Sequence, residues 1–222
     1  MKLFGYWRSS ATWRVRIALH YKQLPFGIVP VHLLRGGGEQ HSEAFRALNP
    51  MQHVPVLELE HAGTMRHVSE SLAIIELLDE LYPTPALLPQ DPLERARARQ
   101  LALLVASGIQ PLLNTKIQAH LKHQLHVDEM AWTRHWLASG LAALEASLAA
   151  QPGRFAVGDG VSVADLCLVP QVFGARRFGV PLEAYPNVLR VERECRDLAA
   201  FQKALPEHQP DFEPDKGTGA PK

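Results

Sequence analysis

Arg8-Ser9-Ser10-Ala11-Thr12-Trp13-Arg14-Val15-Arg16-Ile17-Ala18-Leu19 is the stretch on which the fold reading turns. It follows a short apolar run, Leu3 to Trp7, and opens a helix. A serine pair there sets hydroxyls and backbone N–H groups where the partial positive charge of a helix N-terminus is greatest. Such a place suits a carboxylate, a phosphate or a thiolate. The stretch contains no cysteine, so a thiolate has to arrive with a ligand. That points to a thiol cofactor rather than a protein nucleophile.

Around this stretch the periodicities order themselves into elements. Residues 2–6 read as a strand, 11–23 as an amphipathic helix and 26–34 as a second strand, followed by the Gly36-Gly37-Gly38 loop. A short helix over 40–48 stops at Asn49-Pro50. Two further strands, 54–59 and 64–67, flank a His61-Ala62-Gly63 turn, and a helix runs from 69 to 81. The order βαβ and then ββα predicts a small α/β domain with a mixed sheet over residues 1–82. Tyr82 to Pro92 holds four prolines in eleven residues, so 83–92 reads as a stiff linker. Residues 93–222 read as an all-α domain, with helices over 93–124 (bent at Pro111), 128–150, 162–178 and 187–205. The tail from Pro206, rich in Pro, Gly and charge, is expected to be loose.

Composition narrows the function. Lys+Arg and Asp+Glu number 23 each, so no global field draws nucleic acid or anionic lipid, and neither is expected as a partner. No apolar stretch approaches the roughly 18–20 residues that span a bilayer. The N-terminus runs straight into a strand pattern without a leader. Cys167 and Cys195 form no CxxC pattern, which fits a reducing, cytoplasmic setting. An anionic substrate must then be captured by local arginines.

Several motifs carry a chemical and a plain reading side by side. Val54-Pro55 is tolerable at the start of an edge strand; as a cis bond it turns the Val54 N–H and C=O toward an extended peptide ligand. Glu70-Ser71 reads as first-turn chemistry capped by Ser69, or as an ammonium acceptor beside a carboxylate cradle. Both groups occur together on the α-carbon end of an amino acid. Ser162-Val163-Ala164-Asp165 is a capping box with a folding role. Arg8 and the pair Arg176-Arg177 are candidate anion forks, although an arginine pair at a helix end also complements the dipole. Gln110 and Asn114, four apart, share one helix face beside Pro111 and line a cleft or meet solvent. His120, His123 and His126 lack a partnering Cys or carboxylate and read as a solvated face rather than a metal site.

These pieces in this order resemble the glutathione transferases, a thioredoxin-like domain followed by an all-helical one, and within them the zeta class. The resemblance rests on Arg8 to Leu19, Leu48-Asn49-Pro50, Val54-Pro55, Glu70 to Glu76, Leu87 to Pro92, Gly108 to Leu112, Val157-Gly158-Asp159 and Ala164 to Val172. Ala11 stands where the class motif usually has cysteine. The resemblance implies glutathione as cofactor, extended along Val54. Its γ-glutamyl end lies at Glu70 and Ser71 and its glycine end near Gln40 and His41, with Gln110 and Asn114 also on the cofactor side. Ser9, with Ser10, acts on the sulfur. A small-molecule dicarboxylate is held by Arg8 and by Arg176 or Arg177. The implied activity is cis–trans isomerisation of maleylacetoacetate to fumarylacetoacetate in tyrosine and phenylalanine catabolism. Maleylpyruvate isomerisation in gentisate degradation, or transfer of glutathione to haloacids and other electrophiles, are the alternatives. The class forms homodimers.

Overall fold

The computed structural model describes residues 1–150 and 153–214. Two compact units divide the chain: Met1–Leu87 together with the chain from Leu198 onward, and Leu88–Asp197.

In the first unit, β1 (Lys2–Gly5), α1 (Ser10–Tyr21) and β2 (Gly27–Pro30) form the βαβ half. After a short helix, α2 (Glu43–Leu48), the hairpin β3 (Val56–His61) and β4 (Thr64–Ser69) leads into α3 (Ser71–Leu81). The sheet order is β2-β1-β3-β4, with β1 parallel to β2 and antiparallel to β3. The mixed α/β sheet expected from the sequence is present. Ala62 and Gly63 both take positive φ, 51° and 73°, as a two-residue hairpin turn of the primed type requires. Gly5 ends β1 because a Cβ there would lie 2.2 Å from the Thr12 methyl of α1.

α1 is not the amphipathic helix that its sequence predicts. Every residue from Thr12 to Leu19 is buried, two arginines included. The reason is the return of the chain: α9 (Ala199–Lys203) packs against the face of α1 left free by α3. The expected helix over 187–205 is therefore two, and its second part, with the tail, belongs to the first unit rather than to the helical domain. Residues 206–214 are not loose either, for they bond to the loops after β1 and β2; the rest of the tail lies outside the described residues. The linker is tied down by Lys22, whose buried ammonium donates to Asp79 Oδ1, Tyr82 O and Pro85 O at 2.7–2.8 Å.

The second unit is helical: α4 (Pro92–Leu103), α5 (Thr115–His123), α6 (Glu129–Ala149), α7 (Val163–Arg177) and α8 (Pro186–Arg196). Asp91 caps α4, with Pro92 in its first turn. α6 buries Thr133, Leu137, Leu141, Leu144 and Leu148, one stripe at helical spacing. The bend expected at Pro111 is a longer irregularity: a π turn over Leu104–Ile109, then a 3-10 turn over Gln110–Leu113. Proline cannot supply the N–H that would carry the α pattern through. Past the turn, Trp132 Nε1 of α6 donates to the Leu112 carbonyl at 3.0 Å.

Candidate active site

Register gathers the first unit's candidates at one end of its sheet. Phe4 faces Val56, Val56 faces Ser69, and Gly5 faces Pro30. The segments that continue past this row carry Arg8 and Ser9, Gln40 and His41, Val54, and Glu70 and Ser71. Tyr6, Trp7, Val31, Phe45, Val54 and Val56 form a hydrophobic cluster that joins these segments from beneath. The end of a sheet where several loops open together is where α/β folds place ligands.

Ser9 is the N-cap of α1, and its Oγ accepts from the Thr12 N–H at 3.2 Å. With a lone pair so engaged, the hydroxyl proton is left to donate, at the positive end of the helix dipole. Ser10 is the first helical residue. Arg8 sets its guanidinium 5.1 Å from the Trp7 ring centroid.

The Val54-Pro55 bond is cis, and Val54 precedes the first paired residue of β3, so its peptide groups stand outside the ladder. Asn49, buried, shapes this segment: its Nδ2 donates to His53 O at 2.8 Å and its Oδ1 accepts from Met51 N at 3.0 Å. Gln40 Nε2 lies 3.1 Å from His41 Nε2, and His41 Nδ1 lies 2.7 Å from Gln52 Oε1. The structure thus links Gln40 and His41 to the turn that leads into Val54.

At α3 the cap is Glu70 and not Ser69. Glu70 adopts φ 67°, ψ 114° and makes no side-chain cap bond. A non-glycine residue held at positive φ marks a position fixed by its surroundings. The first N–H groups of α3 are consequently left without a side-chain cap, and the Glu70 carboxylate is not spent on its own helix. Ser71 is buried, and its Oγ accepts from Arg14 Nη1 at 3.2 Å. Arg14 is 1% exposed, and among the described residues its Nε and Nη2 meet no acceptor. A buried guanidinium with idle donors behind a serine favours an anion in front of it. In the sequence Arg14 reads only as one position of a helix pattern; its signal is an arginine set between Trp13, Val15 and Ile17.

In the second unit, Gln110 and Asn114 do not share a helix face. Gln110 opens the 3-10 turn, and Asn114 is the extended N-cap of α5, accepting from Lys116 N at 2.9 Å. Arg176 forms a fork on Glu192, with Nη1–Oε1 at 2.6 Å and Nη2–Oε2 at 2.7 Å. That partner raises its pKa further. Arg177 sets its guanidinium 5.1 Å from the Phe178 ring centroid. Asp165 accepts from Ser162 N, Ser162 Oγ and Ala156 N at 2.8–2.9 Å, the folding role read from the capping box. Burial pushes its carboxyl up to about 6. No group of three or more His, Cys, Asp or Glu suited to a metal occurs among the described residues.

A serine-capped helix start, a cis-proline junction beside an unpaired strand end and an uncapped helix start on one end of a mixed β2-β1-β3-β4 sheet are the arrangement of a thioredoxin-like domain. Comparison with known proteins agrees. The glutathione S-transferase N-terminal domain family matches residues 3–86, and the C-terminal domain family residues 131–193. The maleylacetoacetate isomerase of Mus musculus is 46% identical over 94% of this chain and 94% of its own. A solved bacterial maleylpyruvate isomerase, described as a zeta-class glutathione S-transferase, superposes with a TM-score of 0.90 at 44% identity, covering 96% of this chain and 100% of that one. The maleylacetoacetate isomerase of Anaeromyxobacter dehalogenans 2CP-1, solved with glutathione in its active site, gives 0.88 at 46% identity over 96% and 97%. The chain belongs to the glutathione S-transferase family and, within it, to the zeta-class group of maleylacetoacetate and maleylpyruvate isomerases.

Proposed function

We propose that the protein is a glutathione-dependent cis–trans isomerase converting maleylacetoacetate to fumarylacetoacetate in tyrosine and phenylalanine breakdown. The observation that carries this reading is Ser9, whose oxygen is engaged by Thr12 and whose proton is left for a ligand's sulfur at the end of α1. Glutathione, when bound, supplies the nucleophilic thiolate that double-bond rotation needs and is released unchanged.

The chain's own residues do the rest. Ser9 and the α1 dipole favour the ionised sulfur and so lower its pKa. Ser71, whose oxygen accepts from Arg14 and whose proton is left to donate, serves the γ-glutamyl carboxylate, while Glu70 receives the ammonium. Val54 pairs with the cysteinyl peptide, as an added strand would. Gln40 and His41 take the glycine end. Arg8 and the pair Arg176-Arg177 serve the carboxylates of the diacid. Of that pair, Arg176 is the fork held rigid, since Glu192 occupies two of its N–H groups and leaves the others for an anion. Cys167 and Cys195 are buried and form no disulfide, which supports a reducing, cytoplasmic location, and the family's habit supports a homodimer. No helix among the described residues is long and apolar enough to cross a membrane.

Ala11 in place of the class cysteine, with the maleylpyruvate isomerase likeness, favours a second reading: maleylpyruvate of gentisate degradation as substrate. The test is isomerisation of both diacids with and without glutathione. Turnover only with glutathione, and a higher kcat/KM on maleylacetoacetate, is the expected result. The reverse preference assigns the second reading. Glutathione conjugation to a haloacid without any isomerisation overturns both.

A further inference from the structure

The chain's last described stretch lies on the loop that carries Ser9. Trp7 N–H donates to Asp211 Oδ2 at 2.9 Å across 204 residues of sequence. The Trp7 ring meets Phe212 edge-on, with centroids 5.0 Å apart. Glu213 then pairs with Arg35 and, at 3.4 Å, with His32 Nε2. Residues 211–213 therefore strap the loop after β1 to the loop after β2.

From the other side, Arg16 holds the same peptides. It is buried, and donates Nη2 to Trp7 O at 2.9 Å, Nη1 to Tyr6 O at 3.4 Å and Nε to Ala204 O at 3.3 Å. The charge of Asp211 acts on this guanidinium. Trp7 thus has its N–H fixed by Asp211 and its C=O by Arg16. Two residues later Ser9 closes the turn, its N–H donating to Tyr6 O at 3.0 Å. The place of the Ser9 hydroxyl follows from Tyr6 and Trp7, and theirs follows from a carboxylate near the other end of the chain.

We propose that Asp211 is a positioning residue for thiol activation. By locking the Trp7 peptide it fixes the Ser9 hydroxyl at the end of α1 in the geometry that favours an ionised sulfur. The proposal rests on the role given to Ser9 above. Its physical basis is that a donor stabilises a localised charge only while it is held in place; misplacement by about 1 Å is enough to cost roughly a hundredfold in rate.

The test compares Asp211→Ala with Asp211→Asn in the full chain. Asparagine keeps an acceptor for the Trp7 N–H but removes the charge opposite Arg16. Three quantities are read: amide hydrogen exchange over Tyr6–Ser10 without ligand, the thiol pKa of bound glutathione from thiolate absorbance, and kcat with KM. For Asp211→Ala we expect faster exchange over Tyr6–Ser10, a raised thiol pKa and kcat lower by roughly tenfold, with glutathione affinity, read at a pH below the bound thiol's pKa, changed less than about twofold. Asp211→Asn should keep the thiol pKa near that of the parent. Ser9→Ala is the control: it should raise the thiol pKa itself, and adding Asp211→Ala to it should move the thiol no further. If Ser9→Ala leaves the thiol unchanged, the reading of Ser9 fails and this proposal falls with it. If Ser9→Ala moves the thiol but Asp211→Ala only loosens the loop, Asp211 is structural and the proposal alone is overturned. Should Asp211→Ala not fold, Phe212→Ala, which removes one ring contact from the same strap, carries the same expectations.

Discussion

At the scale of the residue, Arg14 shows how a site can be built against stability. Its guanidinium is buried, bonds only Ser71 Oγ among the described residues, and leaves Nε and Nη2 idle. A buried charge without a counter-charge opposes folding, so something outside the fold must justify it. With α3 starting without a side-chain cap and the Ser71 oxygen already engaged by Arg14, the function proposed above makes that something a carboxylate. Arg14→Met should therefore leave the ligand-free protein as stable as the parent or more so, because the unpaired charge is gone. Glutathione affinity should fall by roughly tenfold or more, the scale of one charge-assisted hydrogen bond at about 1.4 kcal/mol per decade. Thermal melting and calorimetric titration read the two effects separately. Unchanged affinity would make Arg14 a core residue only. Ser71→Ala should weaken binding too, and the double variant should lose little more than the worse single one, since the arginine acts through the serine.

At the scale of the element, the start of α7 offers a pH test. Asp165 ties the α7 N-terminus to Ala156, and its carboxyl, ordinarily near 3.8, is pushed up to about 6 by burial. An acid whose folded pKa lies above its unfolded value binds its proton more readily in the native state. Its contribution to stability is thus greatest below about pH 4 and declines as pH rises to about 6. Asp165→Asn should be less stable than the parent at every pH, because three buried donors meet one amide oxygen; unfilled donors cost about 1–3 kcal/mol each. The deficit should shrink as pH rises from about 4 to 6 and then stay level. Chemical denaturation at several pH values reads it, and a deficit that widens over that window would place the Asp165 pKa below its ordinary range. Elements of this kind were legible in the sequence. The capping box, the Ala62-Gly63 turn, the Val54-Pro55 junction and the order of strands follow from local spacing, which one stretch of chain fixes by itself. What local spacing could not show depends on distant partners. α1 reads as amphipathic until α9 covers its other face, Ser69 reads as the cap until the backbone at Glu70 turns to positive φ, and the tail reads as loose until Asp211 meets Trp7. Arg8, Ser9, Glu70 and Ser71 are legible as candidates because a short motif holds each of them; Arg14, Asn49 and Asp211 are not, because the contacts that single them out pass through another residue.

At the scale of the whole molecule, the remaining question is what covers the apolar side chains left outside. Met51 is 59% exposed and Leu93 75%, and each stands on a hydrogen-bonded segment: Met51 N–H donates to Asn49 Oδ1, and Leu93 N–H to Asp91 Oδ1. Single exposed hydrophobics are ordinary on a monomer. A bulky one held rigid beside a buried asparagine is better suited to entering a partner's surface. The formal net charge is zero, so no long-range repulsion keeps two copies apart. A two-fold dimer repeats every contact, so one substitution removes two side chains from the interface. Met51→Asp should then withdraw two apolar groups worth about 1.5–3 kcal/mol each when buried, and place two carboxylates where they must be desolvated. We expect light scattering at micromolar concentration to give twice 24.7 kDa for the parent and a shift toward single chains for Met51→Asp, with circular dichroism unchanged. Because the loop of Met51 leads directly into Val54, the dissociated chain should also bind glutathione more weakly. A parent chain that scatters as a monomer removes the dimer, and a dimer indifferent to Met51→Asp moves the interface elsewhere.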